Sequence, residues 1–93
     1  MTTNNDPQIT MYSTETCPFC TAARMLLTKK GVSYEEFLVS RDPELRAKME
    51  DLSGRRTVPQ IFINDESIGG FDELYSLEQQ GKLNDLLAPE YQP

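Results

Sequence analysis

The chain has 93 residues, of which 38% are hydrophobic and 26% charged, a balance typical of an ordered globular domain with one core. Nine basic and fifteen acidic side chains give a formal charge of −6, and such an acidic surface argues against nucleic-acid binding. Residues 1–7 lack the apolar stretch of a secretory signal, and no apolar run approaches the roughly 20 residues of a membrane span. We therefore expect a cytoplasmic protein with a single domain over residues 1–93.

The first part of the chain predicts a strand, a helix and a second strand. Apolar and polar residues alternate over residues 8–13, which indicates a strand, and the period changes at Pro18. Proline suits the first turn of a helix and the lysines before Gly31 suit its last turn, so a helix should start at Pro18 and end near Gly31. A strand over residues 34–39 follows, and the helical connection favours a parallel pairing of the two strands. The apolar face of this helix is predicted from Ala22, Ala23, Met25, Leu26 and Leu27.

The middle of the chain predicts a second helix and a hairpin. Asp42 is the expected N-cap and Pro43 the first helical residue. A third strand is predicted over residues 60–63, and residues 64–67 resemble a hairpin turn that leads into a short fourth strand around Ile68. The inner face of the second helix is predicted from Leu45, Met49 and Leu52.

The last part of the chain predicts a helix that Asp72 caps and that continues through Gln80. Residues 83–87 add a final helical turn, and residues 1–7 and 88–93 are expected to form an arm and a tail outside a core of about 8–87. The element order β-α-β-α-β-β-α is that of the thioredoxin-like α/β fold. We therefore expect a four-stranded mixed sheet flanked by helices.

Cys17 and Cys20 are the only cysteines, and the chain has no histidine. A structural zinc site needs four such ligands, so this pair cannot form one within the chain. It could be a redox pair, an incidental pair, or a set of ligands shared across a dimer. Its place after a strand and at the start of a helix favours the redox interpretation, because backbone N–H groups there stabilise a thiolate on Cys17. Cys20 lies one turn further on, within reach for a disulfide, and Phe19 can cover one side of the sulfur.

Two other segments suggest a ligand groove beside Cys17. The Thr57-Val58-Pro59 segment either simply begins the third strand or contains a cis Val58–Pro59 bond that turns backbone groups of Val58 toward the groove. The Gly69-Gly70-Phe71-Asp72 segment is either a plain loop before a helix or a place where a carboxylate approaches helix N–H groups.

Three segments together, YSTETCPFC, RRTVPQIFI and IGGFDEL, resemble those of a class I, bacterial-type dithiol glutaredoxin, and the resemblance extends from about Gln8 to Leu87. It implies that Cys17 is the nucleophile, that Cys20 resolves the mixed disulfide and that Val58–Pro59 is cis. It also implies that glutathione is the reducing co-substrate, without a metal. Val58 would pair with the cysteinyl part of glutathione, the amides of Phe71 and Asp72 would bind the γ-glutamyl carboxylate, and the Asp72 side chain would bind the ammonium group. The implied glutathione site consists of Thr14, Phe19, Arg56, Thr57, Val58, Pro59, Gly70, Phe71 and Asp72.

The sequence departs from the family pattern at two positions. Thr14 stands where the family usually has a lysine, three residues before the nucleophile, and Glu73 stands where an aspartate is common. That lysine helps to hold the thiolate and the glycine carboxylate of glutathione. Our hypothesis from sequence is that Arg56, next to Thr57, partly supplies the missing charge.

The resemblance implies a monomeric enzyme that reduces protein disulfides and glutathione–protein mixed disulfides, with glutathione reductase acting indirectly on oxidised glutathione. One alternative is a dimer that binds a [2Fe–2S] cluster through Cys17 and glutathione, against which Pro18 argues. A second is a protein that thioredoxin reductase reduces directly, against which the Gly69-Gly70 pair and Asp72 argue. Neither nucleic acid nor a membrane is expected as a partner.

Overall fold

The computed structural model describes residues 8–87, so the predicted arm 1–7 and tail 88–93 lie outside the described residues. The elements follow one another in the predicted order, and the final helical turn predicted over residues 83–87 forms a separate short helix. They are β1 (Ile9–Ser13), α1 (Pro18–Lys29), β2 (Glu35–Leu38), α2 (Pro43–Ser53), β3 (Gln60–Ile63), β4 (Glu66–Gly69), α3 (Phe71–Gln79) and α4 (Leu83–Leu87).

The four strands form one mixed sheet with the spatial order β2-β1-β3-β4. β1 pairs in parallel with β2, as predicted, and antiparallel with β3, which in turn pairs antiparallel with β4. The β3–β4 hairpin is tighter than predicted, because Asn64 and Asp65 alone form its turn with φ values of 53° and 69°. Asparagine and aspartate tolerate this left-handed region better than most residues, which explains why the chain reverses there.

Helices cover both faces of the sheet, and the side-chain alternation of β1 and β3 divides the core between them. On one face, Met11 and Ile61 pack against buried residues of α1, α3 and α4, among them Leu27. On the other face, Tyr12 and Phe62 pack with Met49 of α2. The prediction of a thioredoxin-like fold with a four-stranded mixed sheet between helices is confirmed.

The predicted inner faces of α1 and α2 are only partly right. Met25 is 68% exposed and Leu52 is 52% exposed, whereas Leu27 and Met49 are fully buried. Each helix turns a narrow stripe toward the sheet, and residues at the edge of that stripe remain in solvent. The predicted start of α2 is confirmed, because the Asp42 carboxylate accepts hydrogen bonds from the backbone N–H groups of its first turn.

The prediction that Asp72 caps the last helix is wrong. α3 begins at Phe71 with Gly70 as N-cap, and Asp72 lies within the first turn. The capping side chain is that of Glu73, whose Oε1 accepts a hydrogen bond from the Gly70 backbone N–H at 2.7 Å. Glu73 is the third helical residue, and a carboxylate at that position can reach back to the backbone N–H of the N-cap residue. Asp72 is the second helical residue, and its carboxylate does not make this contact. Among residues 8–87, no helix has both the length and the apolar character needed to cross a membrane.

Candidate active site

Cys17 is the N-cap residue of α1, at the end of a short loop that follows β1. Its backbone is extended, and its carbonyl accepts the first helical hydrogen bond, from Thr21, at 3.1 Å. Its side chain is partly exposed, whereas Cys20, one turn later, is completely buried. The two free thiols therefore differ in access: a disulfide substrate can approach Cys17 but not Cys20.

The start of α1 stabilises a thiolate on Cys17. Burial by itself raises the pKa of the Cys17 thiol, but three hydrogen bonds outweigh that effect. They come from the backbone N–H of Cys20, the thiol of Cys20 and the backbone N–H of Phe19, and the positive charge of Arg24 acts in the same direction. The pKa of Cys17 is consequently lowered below that of an ordinary thiol. This matches the activation predicted from the position of the pair at a helix start.

Cys20 has the opposite tendency. Burial, the largest cause, raises the pKa of its thiol to about 11. The hydrogen bond that Cys20 donates to Cys17, and the negative charge of the Cys17 thiolate, also raise it, while a backbone hydrogen bond from Thr14 and the charge of Arg24 oppose this only in part. Cys17 is therefore the more readily ionised member of the pair, and Cys20 keeps its proton at neutral pH.

The loop before β3 brings Val58 to the nucleophile. The Val58–Pro59 peptide bond is cis, and the thiol of Cys17 lies 3.8 Å from the Val58 carbonyl oxygen. Gln60, which is fully buried, holds this loop, because its Nε2 donates to the Thr57 carbonyl at 3.0 Å and to the Thr57 hydroxyl at 3.1 Å. No motif in the sequence marks Gln60 as part of the site, and its place directly after Pro59 is the one local signal of an anchoring role.

A groove of about 170 Å³ lies between the Val58 loop and the start of α3, and Val58, one of its lining residues, contacts Cys17. Gly70 allows its two walls to approach, since a Cβ at this position would lie 3.2 Å from the Pro59 carbonyl oxygen. The structure thus assembles most of the predicted site, together with two residues that were not predicted to form it. The lining residues are Phe19, Arg55, Thr57, Val58, Pro59, Gly70, Phe71, Asp72 and Glu73.

The predicted place of Arg56 beside the groove is wrong. Its side chain is 86% exposed, and its Nε lies 3.6 Å from a carboxylate oxygen of Glu50 on α2. Arg55 lines the groove instead, with its Nη1 3.4 Å from Glu73 Oε1. Adjacent side chains in a loop point in different directions, and only the tertiary structure decides which of two neighbouring arginines faces the groove.

Thr14 is also absent from the groove lining. Its carbonyl accepts a hydrogen bond from Arg24 Nη2 at 2.9 Å. Arg24 also forms an ion pair with Glu36 of β2, at 2.7 Å. Neither charged residue was predicted to belong to the site. A signal was present, because Arg24 follows Cys17 by seven residues and so lies two helical turns away on the same face.

Glu73 joins the cap of α3 to the groove. The hydrogen bond from the Gly70 backbone N–H is the main reason that the pKa of Glu73 is lowered. Burial is the next largest effect and opposes it, while the backbone N–H of Glu73 and the side chain of Arg55 add to the lowering. Glu73 is therefore ionised at neutral pH. Over residues 8–87, no cluster of three or more histidine, cysteine, aspartate or glutamate side chains is arranged to hold a metal ion.

A reactive thiolate at a helix start, a buried partner thiol one turn later and a groove beside them define a thiol–disulfide oxidoreductase with a thioredoxin-like fold. The sequence matches the family model of the glutaredoxins over residues 9–68. The chain belongs to the glutaredoxin family. Glutaredoxins take their electrons from glutathione, so the chain is a glutathione-dependent thiol–disulfide oxidoreductase.

Known relatives agree with this assignment along most of the chain. A glutaredoxin of Neisseria meningitidis serogroup A is 49% identical over 82 residues, which cover 87% of this chain and 96% of that protein. Glutaredoxin 3 of Escherichia coli K12 is 47% identical over 79 residues, which cover 85% of this chain and 95% of that protein.

Solved structures show the same architecture. The solution structure of a Brucella melitensis glutaredoxin is 45% identical and superposes with a TM-score of 0.80, over 91% of this chain and 92% of that one. A buckwheat glutaredoxin, crystallised as a complex with glutathione, is 27% identical and also has a TM-score of 0.80, over 89% of this chain and 78% of that one.

Proposed function

We propose that the chain is a class I dithiol glutaredoxin whose C-P-F-C segment is the active site, with Cys17 as nucleophile and Cys20 as resolving cysteine. The observation that carries the proposal is the contrast between the two thiols. Cys17 is partly exposed and its pKa is lowered, whereas Cys20 is buried and its pKa is raised to about 11. Dithiol exchange requires this difference in pKa, because the nucleophilic thiol must attack the substrate before the resolving thiol loses its proton.

With a glutathionylated client, the Cys17 thiolate attacks the glutathione sulfur. A new disulfide forms between Cys17 and glutathione, the client–glutathione bond breaks, and the client leaves as a thiolate that takes up a proton from water. The thiolate of a second glutathione then attacks the glutathione sulfur on Cys17. This step releases oxidised glutathione and restores the Cys17 thiolate, whose low pKa makes it a good leaving group.

With a client disulfide, the Cys17 thiolate forms a mixed disulfide with one client sulfur and releases the other as a thiolate. Loss of the Cys17 negative charge removes one of the causes that raise the pKa of Cys20. Cys20 then gives up its proton, attacks the Cys17 sulfur and releases the second client sulfur as a thiol. Two glutathione molecules afterwards reduce the Cys17–Cys20 disulfide and leave as oxidised glutathione, which glutathione reductase recycles.

The residues that line the groove have the chemistry needed to bind each part of glutathione. Val58 offers backbone groups next to the Cys17 sulfur, where the cysteinyl residue of glutathione would lie. The first-turn N–H groups of α3, at Phe71 and Asp72, suit the γ-glutamyl carboxylate, and the Asp72 carboxylate suits the ammonium group. Arg55 is the cation that lines the groove, and we assign it the glycine carboxylate.

We further propose that residues 1–93 form one glutaredoxin domain that acts as a monomer in the cytoplasm. One sheet with a core on each of its faces accounts for residues 8–87. A glutathione-driven dithiol also needs a compartment in which glutathione is kept reduced.

The test is reduction of a glutathionylated peptide, coupled to glutathione reductase, for the wild type, Cys17→Ser and Cys20→Ser. We expect Cys17→Ser to be inactive and Cys20→Ser to retain substantial activity on this substrate. On a client disulfide, both variants should lose activity, because Cys20 is needed to complete that reaction. A wild type that works with thioredoxin reductase but not with glutathione would contradict the proposed glutathione site. A brown dimer after anaerobic purification would instead support the iron–sulfur alternative.

A further inference from the structure

Arg24 and Glu36 form a partly buried ion pair behind the active-site loop. Arg24 lies on α1, and both its Nε and its Nη2 are 2.7 Å from Glu36 Oε2 on β2. The two side chains are only 25% and 23% exposed. Water and salt screen such a pair less than an exposed one, so its charges act over longer distances.

The same arginine contacts one end of the loop from Thr14 to Cys17 directly and the other end through Thr21. Its Nη2 donates to the Thr14 carbonyl at 2.9 Å, where the loop begins. Its Nη1 donates to the Thr21 hydroxyl at 3.4 Å, and that hydroxyl donates to the Cys17 carbonyl at 3.4 Å, where the loop ends. The guanidinium group therefore spans the back of the segment from Thr14 to Cys17.

The position at which the family usually has a lysine is neutral in this chain, because it holds Thr14. Arg56, the first candidate to replace that charge, is exposed and lies against Glu50. Arg24 is a cation that contacts the start of the loop at the Thr14 carbonyl and does not line the groove. It is also the arginine whose charge favours the thiolate form of Cys17.

We propose that Arg24 is a positioning residue that holds the active-site loop from behind, and that its charge takes over part of the electrostatic role of the missing lysine. This inference rests on the proposed role of Cys17 as the nucleophile. Glu36 holds the guanidinium group in place and at the same time cancels part of its charge. The ionisable groups around Cys17 are Glu15 in the same loop, Arg24 and Cys20 on α1, Glu36 on β2, and Arg55, Asp72 and Glu73 around the groove.

Substitutions of Arg24 and Glu36 should shift the pH midpoint of Cys17 alkylation in opposite directions. Arg24→Gln removes the cation, so the pH midpoint of Cys17 alkylation should rise, by about half a pH unit for a partly screened charge. Glu36→Gln keeps an oxygen that can accept hydrogen bonds from Arg24 but removes the opposing charge, so the midpoint should fall. Arg24→Lys keeps the charge, and its midpoint should stay near that of the wild type. If the Arg24–Glu36 pair had only a structural role, Arg24→Gln and Glu36→Gln would shift the midpoint in the same direction.

The experiment measures the rate of iodoacetamide alkylation against pH for the full chain and each variant. Cys20 is buried and ionises only at high pH, so the profile around neutral pH reports on Cys17. Arg41→Gln is the matched control, because Arg41 is exposed and its loss changes the total charge equally. Circular dichroism spectra show whether each variant folds.

Opposite shifts for Arg24→Gln and Glu36→Gln, with no shift for Arg41→Gln, support the proposal. An unchanged midpoint in Arg24→Gln, or shifts of the same sign in the two glutamine variants, overturns it. If Arg24→Gln does not fold, Glu36→Gln decides alone: a lower midpoint supports the proposal, and an equal or higher one overturns it. The assay on a glutathionylated peptide is independent of these results, so a wild type inactive with glutathione would contradict the proposed function without affecting the assignment of Arg24.

Discussion

The Cys17 thiol and the Val58 carbonyl oxygen lie 3.8 Å apart, although 41 positions separate the two residues in the chain. Cys17 is at the start of α1, and Val58 belongs to the loop before β3. β1 and β3 are antiparallel neighbours, so the end of β1 that leads to Cys17 lies beside the beginning of β3. The sheet therefore brings the reactive sulfur next to backbone groups that a bound peptide can pair with.

The thiol of Cys20 is expected to contribute to the reactivity of Cys17. It donates a hydrogen bond that lowers the pKa of Cys17, so Cys20→Ala should raise the pH midpoint of Cys17 alkylation. Cys20→Ser, whose hydroxyl can still donate, should shift it less. Alkylation rates measured from acid to alkaline pH test this, and equal midpoints in the wild type and the alanine variant would contradict the assignment of the hydrogen bond.

The fold should lose stability in alkaline solution because of Cys20. The pKa of this thiol is raised from 9.0 to about 11 in the folded chain, so the folded state favours the neutral form. The resulting stabilisation is complete below the pKa of the unfolded chain and is lost as the pH rises through the folded value. We expect the free energy of unfolding to fall by about 2 kcal/mol between these two values.

Tyrosines and lysines titrate in the same range, so Cys20→Ser is the control for this loss. Urea denaturation of both proteins at a series of pH values isolates the contribution of Cys20 as their difference. The difference in free energy of unfolding between the wild type and Cys20→Ser should become smaller toward high pH. A constant difference would show that the buried thiol is not the group responsible.

Arg55 and Arg56 form a natural matched pair. Arg55 lines the groove, whereas Arg56 is exposed beside Glu50. Arg55→Gln should therefore raise the KM for a glutathionylated peptide by about tenfold, the cost of one ionic contact to a carboxylate. Arg56→Gln should leave the KM nearly unchanged. Steady-state kinetics with the coupled assay distinguishes the two, and the reverse ranking would restore the hypothesis drawn from the sequence.

Gln60 is expected to stabilise the groove wall. Its amide donates to both the carbonyl and the hydroxyl of Thr57 while fully buried. Gln60→Leu keeps a similar volume but removes both hydrogen bonds to Thr57, an exposed residue that water can still reach, so it should lower the free energy of unfolding by about 1 kcal/mol. Gln79→Leu, at an exposed position in α3, is the control and should change it by about 0.5 kcal/mol or less. Equal effects of the two substitutions on urea unfolding would argue against the anchoring role.

Much of the fold could be predicted because its signals are local. The start of α1 at Pro18, the Asp42 cap of α2 and the bounds of β3 at Gln60 and Ile63 all agree with the sequence analysis. Caps, prolines and short apolar runs act on residues within a turn or two, so the sequence alone reveals them. The pairing of Cys17 with Cys20 is local in the same sense, because one helical turn separates them.

Only the tertiary structure decided in which direction each side chain points and which distant residues it contacts. Neighbouring residues such as Arg55 and Arg56 have the same chemistry, and packing alone determines which of them faces the groove. The contact of Arg24 with Glu36 depends on how α1 lies against β2, and the exposure of Met25 on where the edge of the core falls. The sequence by itself therefore determined the elements, the cysteine pair and the family. The cations that act on the cysteines depend on the packing of elements distant in the chain, which no local pattern encodes.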